Sequence, residues 1–320
     1  MSIQEITLEQ LDPAQFIEEQ VAAIRSNVEG VAINAFSGGV DSAVVTMLGH
    51  KALGDRLKTY FIDNGIMREG EPAYVVGLFN DLGVPVVLHD AVDQFFDALA
   101  GVTDPEEKRE AITQTFYKDV FGHLVRESGA KVLLQGTNYT DVEETVAGVK
   151  RQHNILAQLG IDTEAAFGYT VLEPIIQLRK SGVRKVAAAL GLPDEIVTRP
   201  PFPGPALTAR VIGEATRERI ATVRQATAIT EAELADTGAF QCMAILHEDK
   251  VTGLRDGGRD FGNQIEVRCW ESTDAVTAEP TDVPFATLRR LADRLTTEVP
   301  GVVSVTYNVT SKPPSTMEAV

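Results

Sequence analysis

Apolar residues along the first part of the chain follow two different spacings. Short apolar runs with the length of buried strands lie at residues 31–36, 57–62, 84–88 and 131–134. Stretches with apolar residues three and four positions apart predict helices at residues 13–29, 43–53, 71–82 and 105–127. Short strands that alternate with longer helices are typical of a parallel sheet with helices on both faces. We therefore predict an α/β fold with a doubly wound parallel sheet.

A proline-rich segment interrupts this alternation. Residues 200–205 read PPFPGP, and prolines so close together disfavour both a helix and the interior of a strand. Beyond this segment the pattern predicts helices near 214–236 and 284–298, and strands near 241–247, 262–271 and 302–310. This order indicates a small α+β domain with a short antiparallel sheet. We therefore expect two domains, residues 1–200 and residues 201–320.

The segment Ser37–Ser42, with the sequence SGGVDS, lies between the first predicted strand and a helix. Its glycines let backbone amides approach an anion, and the helix N-terminus that follows favours negative charge. The serine hydroxyls add donors, and the Asp41 carboxylate could bind Mg²⁺ or cap the helix. Ser37–Ser42, Asp63–Arg68 and Gln135–Asp141 all follow predicted strands, where parallel sheets bind ligands. The loop is neither a Walker A loop nor GxGxxG, and it suits a polyphosphate, although a simple capped turn shares its minimal pattern.

Composition limits the class of protein. The 320 residues are 44% hydrophobic and 23% charged, and the net charge of −17 argues against non-specific binding to nucleic acid or to an anionic membrane. No apolar run is long enough to span a bilayer, and the acidic N-terminus does not resemble a secretory signal. Cys242 and Cys269 are too few for a disulfide framework, and no histidine or cysteine spacing predicts a structural zinc site. We expect a cytoplasmic protein.

The hexapeptide SGGVDS resembles the loop of the PP-loop ATP pyrophosphatases, which cleave ATP between its α and β phosphates. Other segments resemble the GMP synthetase family within that group, most specifically PFPGP at 201–205 and SKPPSTME at 311–318. The segments DNGIMR at 63–68, GVTDPE at 101–106 and QGT at 135–137 are also similar to that family. The resemblance extends from about residue 16 to residue 318, nearly the whole chain.

The resemblance implies a synthetase whose first domain activates XMP with ATP and Mg²⁺, and whose second domain binds XMP and forms a homodimer. Because no glutaminase domain precedes the first domain, it also implies that ammonia comes from a separate glutamine amidotransferase subunit. On this basis Asp41, Lys180 and His153 are expected to be catalytic, with Asp41 also a Mg²⁺ ligand. The residues expected to bind ATP are Ser37, Gly38, Gly39, Val40, Asp41, Ser42, Arg68, Gln135, Gly136 and Asp141. Those expected to bind XMP are Pro203, Arg259, Lys312 and Glu318.

Four segments depart from the family pattern and leave alternatives open. The segments Lys150–Ala157, Lys180–Arg184 and Arg255–Gly257 and the end of the chain differ from the usual sequence at positions that the resemblance places near the substrate. One alternative is a PP-loop paralogue that aminates or thiolates another purine-like substrate. The absence of cysteine from residues 1–200 argues against a persulfide in the first domain. The other alternative is a non-catalytic nucleotide-binding homologue, against which the complete SGGVDS loop argues.

Overall fold

A computed structural model describes residues 3–146, 169–199, 202–255, 257–273 and 276–319. The chain divides into two compact units. The first unit contains Met1–Ile62, Pro72–Asp90 and Tyr117–Arg199, and the second contains Asp63–Glu71, Ala91–Phe116 and Pro200–Val320. Two segments that precede the proline-rich stretch therefore group with the C-terminal part of the chain. The roles expected for the two domains stay predictions.

The α-helices of the described residues are between 4 and 17 residues long. In chain order they are α1 (Pro13–Asn27), α2 (Val40–Leu53), α3 (Glu71–Asp81), α4 (Val92–Leu99), α5 (Pro105–Gln114), α6 (Gly122–Ser128), α7 (Tyr139–Val146), α8 (Lys180–Ala189), α9 (Asp194–Val197), α10 (Arg217–Glu233) and α11 (Phe285–Glu298).

The first unit contains a five-stranded sheet with the strand order β3-β2-β1-β4-β5. β1 pairs in parallel with β2 and with β4, and β4 pairs in parallel with β5. This sheet, with its helices, confirms the predicted α/β fold. Its strands are β1 (Ala32–Ala35), β2 (Leu57–Asp63), β3 (Val87–Asp90), β4 (Val132–Leu134) and β5 (Thr170–Leu172).

Helix α2 packs closely on this sheet, and this packing positions its N-terminus. A Cβ atom on Gly49 would lie 2.6 Å from a methyl group of Leu134 and 2.8 Å from one of Leu57, so only glycine allows this approach. The buried amide of Asn34 on β1 also donates to Thr46 on α2 at 2.7 Å. These contacts hold the first turn of α2 beside the carboxyl end of β1.

Two predicted elements in the N-terminal half differ from the structure. The strand expected at 84–88 begins only at Val87, because the amides of Val84 and Val86 bond to Phe79 and Asn80 at the end of α3. The helix expected at 105–127 is divided into α5 and α6 by a π-helical turn over residues 115–121. Its start at Pro105 is fixed by Asp104, whose carboxylate accepts from the amides of the first turn.

The second unit contains a mixed sheet around a long hairpin. β6 (Gln241–Arg255) and β7 (Gly258–Glu271) are antiparallel, and β7 also pairs with β8 (Glu279–Pro280) and β9 (Val302–Tyr307). The hairpin is longer than predicted because its outer half is mostly exposed. Its sequence therefore does not show the alternation of apolar and polar residues by which a half-buried strand is recognised. β9 runs parallel to β7, unlike the antiparallel sheet that we expected. The crossover that a parallel pair requires is supplied by α11.

Charged side chains join the two long helices of this unit. The Glu233 carboxylate at the end of α10 accepts from Arg290 at 2.7 Å and from Arg294 at 3.0 Å, and both arginines lie on α11. These hydrogen bonds lower the pKa of Glu233.

Across the described ranges, no helix combines the length and the apolar character needed to cross a membrane.

Candidate functional site

The loop between β1 and α2 depends on Gly38. Gly38 has a φ of +77°, in the left-handed region that side chains disfavour. A Cβ atom there would lie 3.2 Å from Arg199 Nη1 and 3.4 Å from a methyl group of Val75. The same Arg199 nitrogen donates to the Gly38 carbonyl oxygen at 3.0 Å. Residues far apart in sequence thus fix the course of the loop.

The first turn of α2 presents backbone amides at the end of this loop. Gly39 is the N-cap and provides no side-chain acceptor for them. The Ser42 hydroxyl donates to the Gly39 carbonyl oxygen at 2.9 Å and lies 3.0 Å from the Ser37 hydroxyl. Since the first amides of a helix have no intrahelical acceptor, and the helix dipole is positive there, this end of α2 favours an anion.

Asp41 lies in this first turn and forms an ion pair with Lys180, the first residue of α8. One carboxylate oxygen, Oδ2, accepts from the Lys180 ammonium. The other, Oδ1, is buried and has no hydrogen-bond partner among the residues that the structure describes. A buried carboxylate oxygen without a donor is costly, and it is a suitable ligand for a hard cation such as Mg²⁺.

The segment that follows β4 touches the same turn of α2. A Cβ atom on Gly136 would lie 3.3 Å from the backbone of both Asp41 and Ser42. The neighbouring residue, Gln135, bonds through its amide to Leu172 on β5 at 2.9 Å. Gly136 therefore borders the loop, and the binding of ATP by Gln135 and Gly136 stays a prediction. Asp141 instead accepts from the amide of Asn138 at 3.1 Å, which stabilises the start of α7.

A second group of candidate residues surrounds Phe202 in the second unit. We call Arg68, Phe202, Arg210, Glu231 and Glu318 the Phe202 cluster. The guanidinium carbons of Arg68 and Arg210 lie 4.0 Å and 5.0 Å from the centre of the Phe202 ring. Arg68 also pairs with Glu231 at 3.1 Å. Arg68, expected at the ATP site, thus belongs to the same cluster as Glu318, which is expected to bind XMP.

Arg210, like Phe202 and Glu231, is a member of the cluster that the sequence analysis did not identify as a site residue. Its side chain is fully buried, and its three guanidinium nitrogens have no hydrogen-bond partner among the described residues. The nearest carboxylate oxygens belong to Glu318, at 3.6 Å, and Glu231, at 3.9 Å. Burial lowers the pKa of Arg210. The only sequence signal for this residue is its place just after the proline-rich segment.

The remaining candidates are more widely spread. The backbone of Lys312 pairs with Ala278 at 2.8 Å and 3.0 Å, and the Pro203 carbonyl accepts from the amide of Ala206 at 2.9 Å. Arg259 lies near the tip of the β6–β7 hairpin, opposite Leu254. The strand from Arg259 to Arg268 spans about 30 Å at the rise of an extended chain, so the chain does not bring Arg259 to Glu318. His153 lies outside the described residues.

At the base of the hairpin it is Arg268, not Arg259, that contacts the C-terminal segment. Its Nη1 atom donates to the Thr316 carbonyl at 2.8 Å and to the Glu318 carbonyl at 3.4 Å. Gln241 donates from its side chain to the Glu318 carboxylate at 3.2 Å. These bonds hold Glu318 in the Phe202 cluster.

The two cysteines lie opposite each other on β6 and β7. Their sulfur atoms are 2.7 Å apart, and both are free thiols. The hydrogen bond from Cys242 lowers the pKa of the Cys269 thiol to about 7, while the same bond and burial raise that of Cys242.

The described residues contain no group of three or more histidine, cysteine or acidic side chains placed to hold a metal.

Comparison with known proteins identifies the family to which this chain belongs. Residues 227–319 match the family model described as GMP synthase C terminal domain. Proteins named as one subunit of a glutamine-hydrolyzing GMP synthase, from Archaeoglobus fulgidus and Methanocaldococcus jannaschii, are 46% and 42% identical over 96% of this chain and 99% of their own length. The protein of the same name from Pyrococcus horikoshii is 43% identical with the same coverage. The resemblance predicted from the sequence motifs is confirmed, and the chain belongs to the GMP synthase family, as a relative of these separate subunits.

Proposed function

We propose that this chain is a ligase that aminates XMP to GMP at the expense of ATP, with ammonia from a separate glutaminase subunit. Membership of the GMP synthase family supports the reaction, and the relatives, which are named as subunits of a glutamine-hydrolyzing enzyme, support glutamine as the nitrogen source. Within this chain, the proposal rests on the N-terminus of α2. This helix begins within the Ser37–Ser42 loop, and its N-cap, Gly39, supplies no side-chain acceptor for the first amides.

The chemistry proceeds in two displacements. The oxygen on carbon 2 of XMP attacks the α-phosphorus of ATP, and the bond to pyrophosphate breaks. Ammonia then attacks carbon 2 and loses a proton, and AMP leaves with the original oxygen. Because the charge on the phosphates is the main obstacle, positioning and neutralisation by fixed donors are what the protein contributes.

The loop and the first turn of α2 would hold the phosphates that become pyrophosphate. The N-cap of α2 supplies no side-chain acceptor for the amides of the first turn, and Lys180 adds a positive charge beside that turn. The Oδ1 atom of Asp41, which has no hydrogen-bond partner among the described residues, fits a Mg²⁺ ion. Mg²⁺ bound there would neutralise phosphate charge. The ion pair with Lys180 would keep the Asp41 carboxylate oriented.

We place the XMP site at the Phe202 cluster of the second unit. The buried guanidinium of Arg210 has donors without a hydrogen-bond partner among the described residues, and a buried donor without an acceptor costs free energy. A phosphate is a matching acceptor, because a guanidinium presents paired donors to its oxygens. Glu318, whose Oε2 atom also lacks a partner among the described residues, could accept from a donor on the purine ring.

A homodimer is the assembly that we propose. Leu254 and Phe261, with 82% and 65% of their surface exposed, share one face of the β6–β7 hairpin. An exposed apolar pair on a projecting hairpin is stabilised when another surface covers it. Light scattering should give twice the mass of one chain, and a monomeric mass would contradict the dimer.

The test of the reaction is pyrophosphate release from ATP and Mg²⁺ with ammonium, with and without XMP. We expect release only with XMP, in step with GMP formed. Asp41→Asn should lower kcat, and Arg210→Met should raise the KM for XMP. Arg217→Met is the matched control, because Arg217 pairs with an exposed aspartate on the surface of the same unit. ATP binding without XMP-dependent turnover would contradict the proposal and favour a paralogue or a non-catalytic homologue.

A further inference from the structure

Lys108 on α5 is a lysine that the reaction does not use, and it is almost completely buried, with 1% exposed. Its ammonium donates to the carbonyl oxygens of Val211 at 2.7 Å, Gly213 at 3.0 Å and Thr208 at 3.5 Å. An ammonium has three donors and no acceptor, so this set of carbonyls matches its full capacity. Complete pairing is the condition under which a buried charge is tolerated.

These carbonyls lie on both sides of Arg210 in the chain. We call residues 206–213 the Arg210 segment. It begins as a short 3-10 turn, Ala206–Arg210, which lacks the continuous hydrogen bonding of a strand or a long helix. Its backbone is also tied by Leu207 to Ile66 at 3.0 Å and by Ile212 to Leu246 at 2.9 Å, and the Ile212 carbonyl accepts from Arg219 at 2.7 Å. Lys108 is the side chain that bonds to carbonyls on both sides of Arg210 within this segment.

We propose that Lys108 is a positioning residue for XMP binding, which holds the carbonyls on both sides of Arg210 and so fixes the direction of that guanidinium. The inference rests on the proposed function, since it takes Arg210 as a substrate-binding residue. Lys108 acts through Arg210 and touches no substrate. The effect of losing Lys108 should therefore disappear when Arg210 is already absent.

The protonation of Lys108 provides an independent measurement. Burial and, to a smaller extent, the nearby Arg219 lower its pKa to about 8, although Asp104 and Glu248 act to raise it. The neutral amine has two donors for three carbonyls, so the hold on the Arg210 segment weakens as the proton is lost. We expect the KM for XMP to rise as the pH passes 8, while the KM for ATP does not follow this rise.

The first experiment is a double-mutant cycle with Lys108→Met and Arg210→Met, using pyrophosphate release to obtain the KM for XMP, the KM for ATP and kcat. Lys108→Met should raise the KM for XMP about tenfold in the native background and leave it nearly unchanged in the Arg210→Met background. Arg109→Met is the matched control, since Arg109 is the next residue of α5 and its side chain is 47% exposed.

The outcomes separate this inference from the proposed function. If Arg210→Met leaves the KM for XMP unchanged, the XMP site is wrong and the role of Lys108 falls with it. If Arg210→Met has its effect but Lys108→Met adds the same factor in both backgrounds, only the role of Lys108 is overturned.

If Lys108→Met does not fold, the dependence of the KM for XMP on pH in the native protein provides the test of the inference instead. A rise in the KM for XMP above pH 8 that disappears in Lys108→Arg supports the inference, because arginine stays charged in this range. A KM for XMP that is flat from pH 7 to pH 9, or that rises equally in Lys108→Arg, would overturn it.

Discussion

Replacing Gly38 by alanine tests whether the loop before α2 is held by its backbone geometry. A left-handed backbone costs a non-glycine residue about 1–2 kcal/mol. The new Cβ atom would lie 3.2 Å from Arg199 Nη1, which must move and thereby weaken its 3.0 Å hydrogen bond to the loop. That bond is worth about 1 kcal/mol. The expected loss of stability for Gly38→Ala is therefore about 2–3 kcal/mol.

Gly39→Ala is the matched control, one residue further along the same loop. Gly39 has an ordinary φ of −79°, and a Cβ atom there meets nothing closer than the Ser37 hydroxyl at 3.6 Å. Alanine is a poorer N-cap than glycine, at a cost of under about 1 kcal/mol. Both substitutions add a methyl group to the loop that would hold phosphate, so both should weaken ATP binding.

Thermal unfolding followed by circular dichroism, with hydrogen exchange of peptides from α2, measures the difference. At about 2–4 °C for each kcal/mol, Gly38→Ala should unfold about 5–10 °C below the native protein. Its α2 amides should also exchange faster. Gly39→Ala should stay within about 3 °C of the native value. Equal unfolding temperatures for the two variants would refute the role assigned to the left-handed backbone and to Arg199.

Three further predictions concern the second unit. Because hydrogen bonds from α11 depress the pKa of Glu233 below its ordinary 4.5, the stability it contributes is present at neutral pH and lost as the pH falls below that value. Glu233→Gln should therefore show a shallower acid dependence in urea unfolding. Since Cys242 and Cys269 face each other across antiparallel strands, the oxidant diamide should take up two electrons and two protons from the thiol pair and form a disulfide. Thiol titration in urea would then fall from two groups to none, and two remaining thiols would contradict this. Ala206 has a φ of +52°, so Ala206→Gly should unfold at the same or a higher urea concentration, whereas Ala206→Val should lose more than about 1 kcal/mol. If Ala206→Val were as stable as the native protein, the left-handed backbone assigned to residue 206 would be contradicted.

Much of the fold was predictable because local patterns report burial. The strands at 31–36 and 57–62 and the helix at 43–53 were found from apolar spacing, and SGGVDS lies where the pattern placed it, between a strand and a helix. The strand expected at 84–88 was misplaced for a tertiary reason, since its first apolar residues are buried against the end of α3 and not in a sheet ladder. Apolar residues indicate burial both at the end of a helix and within a sheet, and the apolar pattern alone does not distinguish the two.

The candidate site was only partly predictable. The residues of the Ser37–Ser42 loop are contiguous, so a motif could identify them. The Phe202 cluster brings Arg68 to Glu231, and Arg210 to Glu318, across more than a hundred residues of chain. A sequence motif can suggest Glu318 by resemblance, but nothing local indicates that Arg210 is buried without a hydrogen-bond partner among the described residues.

By itself, the sequence determined the alternation of strands and helices, the phosphate-binding type of loop and the family. These depend on spacing and on short contiguous motifs, which act over a few residues. Only the tertiary structure decided that Arg199 supports Gly38, that Lys180 pairs with Asp41 and that Lys108 bonds on both sides of Arg210. Each of these contacts depends on how separate elements pack, and packing sets distances and burial that the order of residues does not contain.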